Sequence, residues 1–268
     1  MNLSEKWILI DGMKTFYREK GEGGVLLLIH GMGGSLVFDK VIEPLSGRFK
    51  VIVVDLPGFG LSDKPLIEYS VDFYVKFLAQ FCKKTGIDAF NIAGLSLGGM
   101  IAALFASKNP EKVKNLFIIS AAGLKPVAKQ LKNPAAFWMF SIIMRLFIFS
   151  NSWALKMFQR GSYFNPKNID EKVFRDFYQY MKMPGAKRAW LSAIKNVIEI
   201  NDVVIRRFSE IKTDTVIIWG KEDKTFPVEY AYKFNKLVAD SKIIIINNCG
   251  HTLTIEKPNE FVEILKRY

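Results

Sequence analysis

The sequence predicts an α/β protein: a mostly parallel, doubly wound sheet interrupted by one all-helical insertion. Three observations predict it. Short runs rich in Val, Ile and Leu alternate with helical patterns up to Ser120, as a parallel sheet with crossover helices would read. Those runs are almost continuously apolar, which suits strands covered on both faces. From about Leu124 to Phe208 no convincing strand occurs, and the strand pattern resumes at Thr215.

Taken in order, Trp7-Ile8-Leu9-Ile10 and Met13 to Arg18 flank Asp11-Gly12, a pair that signals a tight hairpin turn. Buried strands are expected at Val25 to Ile29, Val51 to Val54, Phe90 to Ala93, Val113 to Ile119, Thr215 to Trp219 and Ile243 to Ile246. Phe73, Phe77, Leu78 and Phe81 fall on one face of a helix between the second and third of these. Further helices are expected at Met100 to Ser107 and Pro258 to Lys266. The strandless stretch divides at Pro134, Asn165-Pro166 and Pro184-Gly185 into several helices. The resulting division is 1–123 for the first part of the core, 124–208 for a helical cap and 209–268 for the second part of the core. A helical insertion between two strands of one sheet is expected over the sheet's carboxyl edge, where such proteins bind ligands.

Half the residues are hydrophobic, so a large core can form and a disordered chain is excluded. The formal charge is +12, and between Leu124 and Phe208 there are 15 Lys and Arg against five Asp and Glu. A nucleic-acid binder would carry its basic residues in a recognisable module rather than in one greasy segment, so no nucleic-acid partner is expected. Cys82 and Cys249 stand far apart without metal-ligand spacing and read as reduced thiols. The start of the chain has no apolar run behind a basic one, and Ala135 to Phe149 is too short to span a bilayer and is interrupted by Arg145. A soluble, cytoplasmic protein is the expectation.

The chemistry centres on Gly94-Leu95-Ser96-Leu97-Gly98, a G-x-S-x-G set between an expected strand and an expected helix. A nucleophile there sits on a sharp turn that projects its hydroxyl clear of the backbone, and Gly94 and Gly98 remove side chains that would clash. The helix N-terminus behind Ser96 turns backbone N–H groups toward a developing oxyanion. Acyl transfer needs a second donor from the loop after the first buried strand, here His30-Gly31-Met32-Gly33-Gly34-Ser35. Leu97 and Met32 are the expected oxyanion-hole donors, with Gly33 adjacent to Met32 and equally able to point inward. His30 reads as a brace for that loop. The chain has two histidines, and His251, in Cys249-Gly250-His251 beyond the last strand, is the candidate base. Asp223 or its neighbour Glu222, beyond the preceding strand, is the acid that would fix the imidazole tautomer; adjacent side chains diverge, so one of the two should face the site.

These stretches, with Asp55-Leu56-Pro57-Gly58-Phe59-Gly60-Leu61-Ser62, Trp219 to Asp223 and Pro227, resemble the α/β-hydrolase family in its capped esterase, C–C hydrolase and perhydrolase branch, over essentially the full length. The resemblance implies the α/β-hydrolase fold, places the acid at Asp223 rather than Glu222, and implies no cofactor and no metal. Ser96 sets the chain apart from members with an aspartate nucleophile. The resemblance thins over the cap.

The implied function is hydrolysis of a small-molecule carboxylic ester with a hydrophobic acyl or alcohol part, through an acyl-enzyme on Ser96. Within the same machinery, the alternatives are C–C bond hydrolysis of a vinylogous diketone acid and perhydrolysis; the His30 loop has Gly34 where proline is usual in C–C hydrolases. From a different class comes a ligand-binding receptor of this fold with slow turnover. Pro134 to Phe149 is apolar nearly all round. Its inner face, with Phe137, Trp138, Phe140 and Met144, is the expected substrate-binding surface. Its outer face, beside Lys132, Lys156 and Arg160, is expected to meet solvent or other cap helices, with weak association with an anionic lipid surface or a homodimer contact as further partner expectations.

Overall fold

The computed structural model describes residues 2–124 and 129–268, and the backbone alone of Lys129. The part of the expected cap at 125–128 lies outside the described residues.

The chain opens with a hairpin of β1 (Ser4–Ile10) and β2 (Met13–Lys20). Asp11 (φ 48°) and Gly12 (φ 80°) both adopt the left-handed conformation that a two-residue turn matched to strand twist demands. The alternation then runs β3 (Val25–Ile29), α1 (Asp39–Leu45), β4 (Lys50–Val54), α2 (Val71–Thr85), β5 (Phe90–Leu95), α3 (Leu97–Lys108) and β6 (Val113–Ile119). The helices α4 (Pro134–Ile143), α5 (Ser152–Arg160), α6 (Glu171–Lys182), α7 (Ala186–Ile198) and α8 (Asp202–Phe208) follow before the sheet resumes. The chain ends with β7 (Asp214–Gly220), α9 (Glu229–Leu237), β8 (Lys242–Ile246), α10 (Leu253–Glu256) and α11 (Pro258–Leu265).

The eight strands form one sheet in the order β1-β2-β4-β3-β5-β6-β7-β8. Only the β1–β2 and β2–β4 pairs are antiparallel; every pair from β4 to β8 is parallel. This is the α/β-hydrolase fold. Its central strands are buried along nearly their whole length, which explains their unbroken apolar sequences. After β3 the chain crosses toward β4, whereas after β5 it crosses toward β6. The direction of winding therefore reverses between β3 and β5, and a crevice opens at their carboxyl ends.

Three core helices escape sequence reading, the shortest being the four-residue α10. Helix α1 is seven residues long and contains Pro44, which breaks the periodic signal. Helix α9 is nine residues long and buries only Ala231 and Phe234. In the insertion, Asn133 caps α4 by accepting from Ala135 and Ala136, and Pro134 occupies the first turn as its fixed φ favours. Two further breaks carry asparagine caps: Asn151 accepts from Ala154, and Asn201 from Val203 and Val204. A π turn at Met144–Ile148 continues α4.

Candidate active site

Ser96 stands between β5 and α3 with φ 59° and ψ −119°, a conformation that side-chain-bearing residues rarely adopt. Such strain costs about 1–3 kcal/mol and persists only where the surroundings hold it. Here the Ser96 N–H donates to the Ile119 carbonyl (2.9 Å), tying the turn to β6, and the Ser96 carbonyl accepts from Gly99, Met100 and Ala122. The flanking glycines are required by close approach of backbone to backbone. A Cβ on Gly94 would lie 2.2 Å from the Gly98 carbonyl oxygen, and one on Gly98 would lie 2.1 Å from that of Ile29. A Cβ on Gly31, in the loop after β3, would lie 2.7 Å from that of Ser96, so this loop passes directly against the serine.

Leu97 is the first residue of α3, so its N–H has no acceptor within the helix. Met32 borders the same cavity as Ser96 and Leu97, as do Gly31 and Gly33. The loop that carries Met32 is pinned by His30, which is fully buried. His30 Nε2 accepts from the Leu56 N–H (2.9 Å), so Nδ1 carries the proton and donates to the Gly31 carbonyl (2.6 Å). Burial pushes the imidazole below its ordinary range, which keeps it neutral in this bracing role.

His251 follows β8 on a short loop, and its Nδ1 lies 2.8 Å from Asp223 Oδ2; since a carboxylate only accepts, Nδ1 donates. The second oxygen of Asp223 accepts from the Thr225 (2.8 Å) and Phe226 (2.9 Å) N–H groups, which fix the carboxylate's orientation. Glu222 turns away: its carboxylate accepts from the Cys249 N–H at 3.0 Å. The imidazole packs edge-on against Phe226 with ring centroids 5.3 Å apart. Ser96, Asp223 and His251 are all nearly buried, and Ser96 and His251 border one cavity of about 500 Å³.

The cavity is mainly apolar. Its far wall comes from the insertion: Phe149, then Leu155 and Phe158 on α5, Val173, Phe174 and Phe177 on α6, and Trp190, Ile194 and Val197 on α7. None of Phe137, Trp138, Phe140 and Met144 borders it, a departure from the expected substrate-binding surface. Trp138 points to solvent, Phe137 and Phe140 pack on each other with centroids 6.0 Å apart, and Met144 is buried in the hydrophobic core. The reason is that α4 lies outside the cavity wall, while the amphipathic α5, α6 and α7 turn their apolar faces inward. The spacing at 155/158, 173/174/177 and 190/194/197 is the periodic signal that marks those faces. Overall greasiness, by contrast, marks α4.

A further residue, Glu256 on α10, joins the insertion to the histidine loop. Its Oε1 accepts from the Gly250 N–H (3.0 Å), and its Oε2 from the N–H groups of Phe164 (2.9 Å) and Asn165 (3.3 Å). Alongside, the His251 N–H donates to the Ser162 carbonyl (2.8 Å). Burial raises the Glu256 carboxyl above its ordinary range, with these donors pulling the other way. Nothing in the local sequence of Glu256 announces that role.

Cys82 and Cys249 are free and buried. Among the described residues no group of three or more His, Cys, Asp or Glu is placed to hold a metal ion, and no helix is long and apolar enough to cross a membrane.

A sheet of this order with a serine on the tight turn after β5 defines a class, and comparison with known proteins names it. A family model described as the alpha/beta hydrolase fold matches residues 24–258. The chain belongs to the α/β-hydrolase family, and it is a hydrolase. It is 28% identical over 264 residues to the 2-hydroxy-6-oxo-6-(2'-aminophenyl)hexa-2,4-dienoic acid hydrolase of Metapseudomonas resinovorans, covering 96% of this chain and 88% of that one. It is also 28% identical to Lipase 1 of Psychrobacter immobilis, covering 97% of this chain and 82% of the lipase. Among solved structures, a bacterial membrane phospholipase A superposes with a TM-score of 0.83 at 26% identity, covering 99% of this chain and 85% of that one.

Proposed function

We propose that the protein hydrolyses carboxylic esters with a hydrophobic acyl part, with Ser96 as nucleophile, His251 as general base and Asp223 as the acid that orients it. Ser96 Oγ attacks the ester carbonyl carbon while His251 Nε2 takes the serine proton. Asp223 accepts the Nδ1–H and stabilises the imidazolium. The N–H groups of Leu97 and Met32 donate to the oxyanion. Collapse breaks the carbon–oxygen bond to the alcohol, which leaves with the proton from His251. Water, deprotonated by the same imidazole, then attacks the acyl-serine carbonyl and releases the acid.

The observation that carries the ester reading over C–C hydrolysis is the lining of the cavity. A dienoic acid brings a carboxylate, whose burial needs a paired cation. The one cation on the described lining is Lys224, an exposed side chain, while the rest is mainly Phe, Leu, Ile, Val and Trp with the uncharged polar side chains of Gln159, Ser162, Tyr163, Thr225 and Thr252. An apolar acyl chain fits that wall without an unpaired charge. The relatives include both activities, so the two substrates need to be compared directly. Mixing the enzyme with a p-nitrophenyl ester and quenching early should give an intact mass increased by one acyl group, located on a peptide containing Ser96. Turnover of a vinylogous diketone acid at a higher kcat/KM than any ester would overturn the assignment.

A further inference from the structure

The most apolar part of the insertion is also the most exposed. Helix α4 buries none of its ten residues, although its sequence is Pro-Ala-Ala-Phe-Trp-Met-Phe-Ser-Ile-Ile. Together with the turn Met144–Ile148 and α5, which packs against that turn, it leaves Trp138 (67% exposed), Leu146 (65%), Phe147 (63%) and Trp153 (71%) in contact with solvent, and Met139, Ile143 and Met157 with them. On a helix, residues 138, 139, 143, 146 and 147 fall within one half of the circumference, so the continuous stretch 134–148 offers a face rather than scattered side chains. Contiguous apolar patches of this kind on a water-soluble surface mark a docking site.

The charges around the patch select the partner. Between Glu111 and Asp170 the sequence has no Asp or Glu and nine Lys or Arg. Lys132, Arg145 and Arg160 are exposed, and none of them has an acidic partner among the described residues; nearby, Lys156 is paired with Glu171. A second copy of the chain meeting this face about a two-fold axis would bring cation against cation. A bilayer with anionic headgroups answers both features: Trp, Phe, Leu and Met seat at the boundary of headgroups and acyl chains while Lys and Arg meet phosphate. We propose that the face formed by α4, Met144–Ile148 and α5 docks on an anionic lipid surface.

One helix of the docking face, α5, is also part of the cavity wall. Leu155 and Phe158 of α5 border the space next to Ser96, while Trp153 and Met157 of the same helix are exposed. Phe158 is itself 48% exposed, so it stands at the rim between cavity and patch. On the ester reading above, the site therefore draws substrate from the bilayer, and its substrate class is acyl esters dissolved in lipid rather than in water.

The docking is tested with Ser96→Ala, so that it is measured with chemistry removed and its failure is separable from failure of the ester reading. Flotation with vesicles of phosphatidylcholine alone, and of phosphatidylcholine with phosphatidylglycerol, reads partition directly. Binding should require phosphatidylglycerol and weaken as salt rises. Arg145→Glu with Arg160→Glu should reduce partition by about tenfold or more, since each basic residue near such a surface contributes roughly fivefold. Leu146→Ser, Phe147→Ser and Trp153→Ser combined should abolish flotation while leaving thermal unfolding close to the parent, because all three side chains are exposed. The Ser96-containing form of that triple variant should retain turnover of short water-soluble esters. No flotation with phosphatidylglycerol vesicles at low salt would overturn the proposal, as would equal flotation of the triple variant. So would a parent that is dimeric in solution and becomes monomeric with those three substitutions, since that would give the face to a second copy.

Discussion

Ser96 can hold its strained backbone because nothing larger than hydrogen occupies the Cα positions packed around it. Gly98→Ala forces a Cβ to within 2.1 Å of the Ile29 carbonyl oxygen, so the turn must shift. The expected result is a loss of about 1–3 kcal/mol in denaturant unfolding together with loss of turnover; an unchanged midpoint would show that the turn has slack. Geometry also separates the two candidate acids. Asp223 meets His251 while Glu222 meets the Cys249 N–H, so Asp223→Asn should lower kcat by roughly 10³–10⁴-fold and Glu222→Gln by far less. The reverse ranking would move the role to Glu222. His30 predicts a pH effect. Burial lowers its pKa from an ordinary value of 6.5, so between the folded and unfolded values the folded state binds fewer protons than the unfolded chain. The stability it contributes is therefore present above about pH 6.5 and is lost as pH falls below it. His30→Gln should be less stable at pH 7 yet lose less on acidification to pH 5, and parallel losses in both proteins would contradict this. Ser96, Asp223 and His251 were legible because each stands in a short motif at the end of a strand. The direction of the Glu222 side chain was not, because two adjacent carboxylates differ only in where the backbone turns.

At the scale of elements, the helices between β6 and β7 supply the wall of the cavity, and the histidine loop is stitched to them through Glu256 and Ser162. Glu256→Ala leaves the Gly250 and Phe164 N–H groups without an acceptor. It should destabilise the protein by about 1–3 kcal/mol and lower kcat more than it raises KM, since His251 rides on the freed loop. A purely structural role would lower stability and leave the kinetic constants of the folded fraction intact. The inner faces of α5, α6 and α7 set what fits: Ile194→Trp should fill part of the cavity and move the preferred acyl chain toward shorter lengths, whereas Phe137→Ala should not shift it. A Phe137→Ala shift larger than that of Ile194→Trp would place substrate against α4. Their apolar residues recur at helical spacing, but each of these helices carries a polar face as well. Composition therefore draws attention to α4 instead. Long apolar strands, by contrast, are legible because a parallel sheet buries both faces and leaves no polar residue to confuse the pattern.

For the whole molecule, the sheet reverses its winding between β3 and β5, and that reversal brings the loop after β3 and the turn after β5 against one another. Gly31 and Ser96 thus stand 65 positions apart in sequence yet against one another in the fold, and the order of strands is what no local pattern encodes. Alternation of strands and helices revealed the class; α1 and α9 escaped because one contains a proline and the other buries only two residues. Ester hydrolysis at Ser96 over an apolar cavity is reached by one measurement. Turnover of p-nitrophenyl esters from short to long acyl chains should be compared between the parent protein and Ser96→Ala. A distinct chain-length optimum is expected in the parent, with a loss on the order of 10⁴-fold or more in Ser96→Ala at every length. Folded protein that leaves every ester untouched, or that retains its turnover without the serine hydroxyl, would contradict it.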